Sequence, residues 1–253
     1  MERKRAIVTG AGTGIGQGVA IMLGRSGYDV AVHYNSSAEG AVETCRAIEK
    51  EGGRAFAIQA DLSRKEGIDS LFEKAEGLLG GLDLYVNNSG ITRKSDFLET
   101  SEAFYDEMMN TDLKSAYFCV QAAAKSMAKN AVRGSIVIVC SNNALQQRPN
   151  LSVYGTIKAA LVKLTKHAAM ELAKYGIRVN AIAPGWTATP RTLLVDVEGT
   201  YPTIPLKRWS TPEEIGGIAL FLASDVAASI TGNCIVADGG AVLMGDPAEK
   251  YGL

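Results

Sequence analysis

The chain is poor in the residues that most often hold metals or disulfides: among its 253 residues are two histidines and four cysteines. His33 and His167 are too few for a zinc site, and a Ser/His/Asp triad would need one of them beside a nucleophile, so a hydrolase is a weak reading. Cys45, Cys119, Cys140 and Cys234 are far apart and form no metal-ligand or redox pair in sequence; buried free thiols are expected. An excess of charge is also missing. With 26 basic and 27 acidic residues the net charge is -1, which speaks against nucleic acid or an anionic membrane as partner. The run Arg3-Lys4-Arg5 is short, abuts a strand and reads as a solvated N-terminus. No apolar run approaches the roughly 20 residues of a membrane span, and no signal-peptide core precedes the first strand. A cytoplasmic protein is expected.

What is present is alternation. Short β-branched runs (6–8, 30–32, 56–59, 84–86, 135–139, 179–182 and 234–237) are separated by helix-patterned segments near 15–26, 38–51, 65–79, 101–129, 152–175 and 212–223. That order predicts parallel strands joined by crossover helices, hence an α/β fold: a single doubly wound Rossmann domain with a seven-stranded parallel sheet flanked by helices.

Ligands of open α/β sheets bind at the carboxyl edge, so the residues that follow each strand carry the functional signal. After the first strand stands Thr9-Gly10-Ala11-Gly12-Thr13-Gly14-Ile15-Gly16. Glycines there let the backbone turn tightly and approach a pyrophosphate, which a helix N-terminus attracts. The second strand leads into His33-Tyr34-Asn35-Ser36-Ser37, with neither a carboxylate for ribose hydroxyls nor an Arg or Lys for a 2'-phosphate. NADP is modestly favoured over NAD. Asp61-Leu62 and Asn87-Asn88-Ser89-Gly90 end the next two strands, where turn chemistry and ligand binding both suit such residues. Asn110 interrupts a long helical pattern, as a surface residue, a helix break or a functional group. Ser141 follows the apolar run 136–140. Tyr154 and Lys158 lie one helical turn apart, and an ammonium beside a phenol favours the phenolate, which suits general acid/base work.

Together these motifs resemble the short-chain dehydrogenase/reductase family over nearly the whole chain. Thr9, Gly10, Gly14, Ile15 and Gly16 match its T-G-x-x-x-G-I-G pattern, and Tyr154 with Lys158 matches its Y-x-x-x-K pattern. Ser141 stands at the family's serine position and Asn110 is taken as its helix asparagine. Asn87, Asn88 and Gly90 match N-N-A-G, with Ser89 replacing alanine, and Asn180 to Gly185 resembles the segment after the sixth strand. The resemblance implies an NAD(P)-dependent oxidoreductase with Asn110, Ser141, Tyr154 and Lys158 as catalytic residues and no metal. It assigns the dinucleotide to Gly10, Thr13, Gly14, Ile15, Gly16, Tyr34, Asn35, Ser36, Asp61, Leu62, Asn88, Ser89, Gly90, Pro184, Gly185 and Thr187, with Tyr154 and Lys158. Ser141 is expected to hold the substrate oxygen and Tyr154 to move its proton. Lys158 would also hold the nicotinamide ribose, and Asn110 a water linking Lys158 to solvent.

Substrate choice is expected from the loops 92–98 and 142–152 and from the segment 186–208, read as a lid with Trp186 and Trp209 as stacking or core residues. Asn142, Asn143, Gln146, Gln147 and Arg148 make the loop after Ser141 polar, which predicts a polar substrate such as a sugar or hydroxy-carbonyl. A 3-oxoacyl thioester reductase and a catalytically silent dinucleotide sensor are the alternatives. The presence of all four proposed catalytic residues argues against the sensor. Thr211-Pro212-Glu213-Glu214 predicts a capped helix start. By analogy a homotetramer is expected, with the tail 245–253 either disordered or packed on a neighbour.

Overall fold

The computed structural model describes residues 3–194 and 198–244; the tail from Gly245 and the middle of the expected lid lie outside them. Seven strands form one parallel sheet in the order β3-β2-β1-β4-β5-β6-β7. They are β1 (Lys4–Val8), β2 (Tyr28–Tyr34), β3 (Arg54–Gln59), β4 (Leu84–Asn87), β5 (Ser135–Val139), β6 (Arg178–Pro184) and β7 (Cys234–Ala237). Strand pairing starts at Lys4↔Tyr28, Ala6↔Leu84, Leu84↔Ser135 and Ser135↔Arg178. The order reverses between β1 and β4, which opens a crevice at their carboxyl ends.

Both faces of the sheet are covered, so successive strand residues feed two cores instead of one. Ile7, Ile136 and Ile138 pack with α3 (Lys65–Leu79), α5 (Ser115–Lys129) and α6 (Ser152–Leu172). Their neighbours Ala6, Val8, Val137 and Val139 face α1 (Gly14–Arg25), α2 (Ala38–Lys50) and α7 (Pro212–Ala223). The one buried acid on β2, Asp29, lies 2.8 Å from Arg3 and 2.6 Å from Arg54. Those pairs offset its desolvation.

Helix starts follow the chemistry of their caps. Ser101 accepts the Phe104 amide ahead of α4 (Glu102–Met108). Thr211 and Glu214 exchange bonds of 3.2 and 2.8 Å, a capping box, with Pro212 at the first turn. The long pattern 101–129 is continuous but not uniformly α-helical. Between α4 and α5 runs a π-helical turn, Met109–Lys114, in which the Ser115 amide reaches back to the Asn110 carbonyl. Such wide turns shift the register of the residues they contain and recur at functional sites.

Candidate active site

The strand ends converge on a cleft of about 450 Å³. Its floor is the glycine loop. Gly10 and Gly14 have φ of +63° and +58°, a region where side chains are strained. The loop is held by β4 through several bonds. Asn88 donates from Nδ2 to the carbonyls of Thr9 (2.9 Å) and Gly10 (3.2 Å), while Thr9 Oγ1 accepts the amides of Asn88 and Ser89. Asn88, Ser89 and Gly90 line the cleft with Thr13, Gly14 and Ile15. Gly16 lies under it, packed against the Gly10 carbonyl.

From β2 comes a residue that sequence reading set aside. His33 is 1 % exposed; its Nδ1 accepts the Gly10 amide at 3.1 Å, and its Nε2–H donates to the Ala60 carbonyl at 3.1 Å. The ring therefore ties the glycine loop to the end of β3, and its position inside the buried run Val-Ala-Val-His was the available signal. Burial lowers its pKa from 6.5 to about 4, because a protonated Nδ1 cannot accept and a cation there is desolvated. The neutral ring's contribution is therefore complete above pH 6.5 and lost as pH falls through about 4. Between those limits wild type should lose about 3 kcal/mol relative to His33→Leu. Urea unfolding of both proteins at pH 7 and pH 4 checks this; parallel loss in the two would refute it.

Asn35 and Ser36 line the cleft, whereas Tyr34, the last residue of β2, packs on the core. Asp61 and Leu62 line it from β3. Asp61 is held below its usual carboxylate range mainly by the Ser63 hydroxyl at 2.7 Å, then by the Ser63 amide. Pro184, Gly185 and Thr187 close the opposite wall. Gly185 leaves room for Asp238, which accepts from Asn142 at 3.3 Å and from the amides of Gly240 and Val242 at 2.9 Å each.

Ser141, Tyr154 and Lys158 line the same cleft. Ser141 follows β5, is 7 % exposed, and accepts the amide of Asn143 at 3.2 Å and its Nδ2 at 3.4 Å. Both bonds use its oxygen as acceptor, so its own proton is available to a carbonyl. On α6, Lys158 Nζ lies 5.2 Å from the Tyr154 ring centroid. Asn110 does not join them: it is half-buried in the π turn and is not part of the cleft wall. The residue of that turn that reaches Lys158 is Asp112, with Oδ2 3.2 Å from Nζ. A side chain two positions from the expected one is thus brought inward by the widened turn.

The loop after Ser141 is only partly available to a substrate. Asn142 is committed to Asp238, Asn143 braces Ser141, and Arg148 lies 5.3 Å over the Trp186 ring. Trp186 stacks on Trp209 at 5.2 Å, and Trp209, 6 % exposed, donates to Thr200 at 2.6 Å. The two indoles therefore build a small core with Ile204 and Ala241. Gln146 Nε2 and Trp186 Nε1 are buried with no partner among the described residues, and Gln146 lies outside the cleft wall.

The four cysteines are free, but the fold corrects their expected isolation: Cys140 and Cys234 lie 3.7 Å apart, sulfur to sulfur. Among the described residues no His, Cys, Asp or Glu cluster could hold a metal, and no helix is long and apolar enough to cross a membrane.

A glycine loop at the reversal of a doubly wound sheet, facing a Ser, Tyr and Lys set, defines a dinucleotide-dependent oxidoreductase. A family model described as enoyl-(acyl carrier protein) reductase matches residues 10–242. The chain is 38% identical over 240 residues to the 3-oxoacyl-(acyl-carrier-protein) reductase FabG of Staphylococcus aureus, covering 94% of this chain and 97% of that protein. It is 36% identical over 245 residues to the 2-dehydro-3-deoxy-D-gluconate 5-dehydrogenase of Escherichia coli, covering 95% and 96%. Among solved structures, acetoin dehydrogenase from Enterobacter cloacae superposes with a TM-score of 0.90 at 37% identity, covering 98% of each chain. The chain belongs to the short-chain dehydrogenase/reductase family. It is an NAD(P)-dependent enzyme acting on a carbonyl or alcohol.

Proposed function

We propose that this enzyme interconverts a small polar carbonyl compound and its secondary alcohol, preferring NADP(H), with Tyr154 as the general acid/base. The observation that carries the reading is one cleft lined by both the glycine loop and the Ser141, Tyr154 and Lys158 set. A bound nicotinamide would supply or accept the hydride at the substrate carbon. Ser141 donates its free proton to the substrate oxygen, which orients the carbonyl. Tyr154 gives that oxygen a proton in reduction and removes it in oxidation. Lys158 offsets the phenolate charge as it develops.

The cradle fits a dinucleotide, because the positive φ at Gly10 and Gly14 and the close packing of Gly16 leave the loop backbone open to a pyrophosphate. NADP is favoured because Asn35 and Ser36 line the cleft where a carboxylate would repel a 2'-phosphate. Ser36→Asp should therefore reverse the cofactor preference, read as the ratio of kcat/KM for NADPH and NADH. An unchanged ratio would place the 2'-position elsewhere.

A polar substrate is supported by the polar side chains Thr92, Thr189, Arg191 and Thr192, which line the cleft with Ser141. Trp186 and Trp209 stack on one another in a small core, which argues against a lid whose indoles grip an acyl chain. A panel of hydroxy-ketones, sugars and 3-oxoacyl thioesters with both cofactors, followed by nicotinamide absorbance, tests this. Much faster turnover of the thioesters would move the assignment to a 3-oxoacyl reductase, the activity named for the Staphylococcus aureus relative. The single sheet supports one domain with a lid over 186–208, and the free thiols fit a reducing cytoplasm. A homotetramer is supported by the exposed apolar side chains Tyr117 and Met170 on α5 and α6; light scattering measures it.

A further inference from the structure

We propose that Asp112 is the positioning residue for Lys158, a buried counter-ion that holds its ammonium protonated in the cleft. The inference rests on the dehydrogenase reading only for its catalytic consequence. The pair itself is geometric. Asp112 Oδ1 accepts the Ile91 amide at 2.8 Å and Oδ2 accepts Lys158 Nζ at 3.2 Å, with the two side chains 0% and 6% exposed. Both oxygens face donors, so the group is a carboxylate with both acceptor sites in use. An asparagine in its place would have one acceptor for two donors.

The surroundings make the pair specific. Tyr154 on the same helix and Cys140 after β5 are the other titratable groups facing the ammonium, and the hydrogen bond to Cys234 together with burial keeps the Cys140 thiol neutral. Asp112 is thus the carboxylate set against Lys158 among the described residues. Burial alone pulls the proton off Lys158; Tyr154 and then Asp112 oppose it, and the net direction is upward. From above, Gly90 packs directly on the pair: a Cβ there would stand 2.8 Å from Asp112 Oδ2 and 3.2 Å from Nζ. The π turn supplies the geometry, since it brings Asp112 rather than Asn110 to this point.

A charge taken from water is stable in such a place only while its partner remains, so removing one member strands the other. Two measurements on the whole chain without added cofactor test the proposal. In the first, reductive methylation of amines at about pH 8, read by peptide mass spectrometry, reports the unprotonated fraction of Lys158, with exposed Lys50 as internal reference. Asp112→Asn should speed methylation of Lys158 by about tenfold. In the second, urea unfolding of wild type, Asp112→Asn, Lys158→Met and the double variant forms a cycle. The double variant should be more stable than Lys158→Met alone. An unchanged methylation rate in folded Asp112→Asn, or additive losses in the cycle, would overturn the counter-ion. Should Asp112→Asn fail to fold, recovery of folding on adding Lys158→Met supports the pair and continued failure overturns it. A positive cycle in a protein that turns over no small polar carbonyl would keep the counter-ion and remove the proposed substrate class, so the two fail separately.

Discussion

Tyr154→Phe should lower kcat by about a thousandfold, roughly 4 kcal/mol of transition-state stabilisation, while dinucleotide affinity changes little. The phenol oxygen is the only atom removed. The ring remains half-buried on α6 with the Lys158 ammonium over its face, and the glycine loop lies on other elements. Ser141 still orients the carbonyl, which leaves residual turnover by hydride transfer without a positioned acid. Steady-state rates and fluorescence titration with NADPH, measured on the same preparation, check both halves. A variant retaining a tenth or more of wild-type kcat would remove Tyr154 from the acid/base role. A variant that loses cofactor affinity as well would assign the hydroxyl to binding instead.

The parts legible in the sequence are those set by backbone period and local chemistry. All seven strands follow from branched runs, and the Thr211 cap follows from its neighbours three residues on. Strand ends were less visible. β2 extends over Tyr28–Tyr34 beyond the branched core 30–32 because its outer residues are stabilised from elsewhere: Asp29 by Arg3 and Arg54, His33 by Gly10 and Ala60. Long-range pairing was not legible at all. Asp112 in a helical pattern reads as a solvated acid, yet it meets Lys158 46 positions later. The π turn that brings it there, Met109–Lys114, contains neither glycine nor proline to mark it. Cys140 and Cys234, 94 positions apart, meet because small residues on β6, Ala181 and Ala183, lie between their strands. Trp186 and Trp209 were open to two readings, and the stack between them favours packing. The glycine loop, by contrast, was readable because its constraint is covalent: specific residues must lack a side chain.

Gly16→Ala should destabilise the protein by about 2 kcal/mol and abolish measurable dinucleotide binding. Helix propensity points the other way, since alanine inside α1 gains about 1 kcal/mol over glycine. Sterics decide. A Cβ at Gly16 would stand 2.2 Å from the Gly10 carbonyl oxygen and 2.4 Å from Asn88 Nδ2. Neither atom can retreat cheaply, because the Gly10 amide is held by His33 and the Asn88 side chain bonds the Thr9 and Gly10 carbonyls. Relief must come from lifting the loop off β4, which moves the backbone that would face the pyrophosphate. Gly77 on α3 supplies the control, because nothing lies within 4 Å of a Cβ built there. Gly77→Ala should show the propensity gain alone, about 1 kcal/mol of added stability, with cofactor binding intact. Urea unfolding and NADPH titration of both variants separate the effects. Equal stability changes at the two sites would mean that the loop yields freely and that Gly16 is not required by its packing.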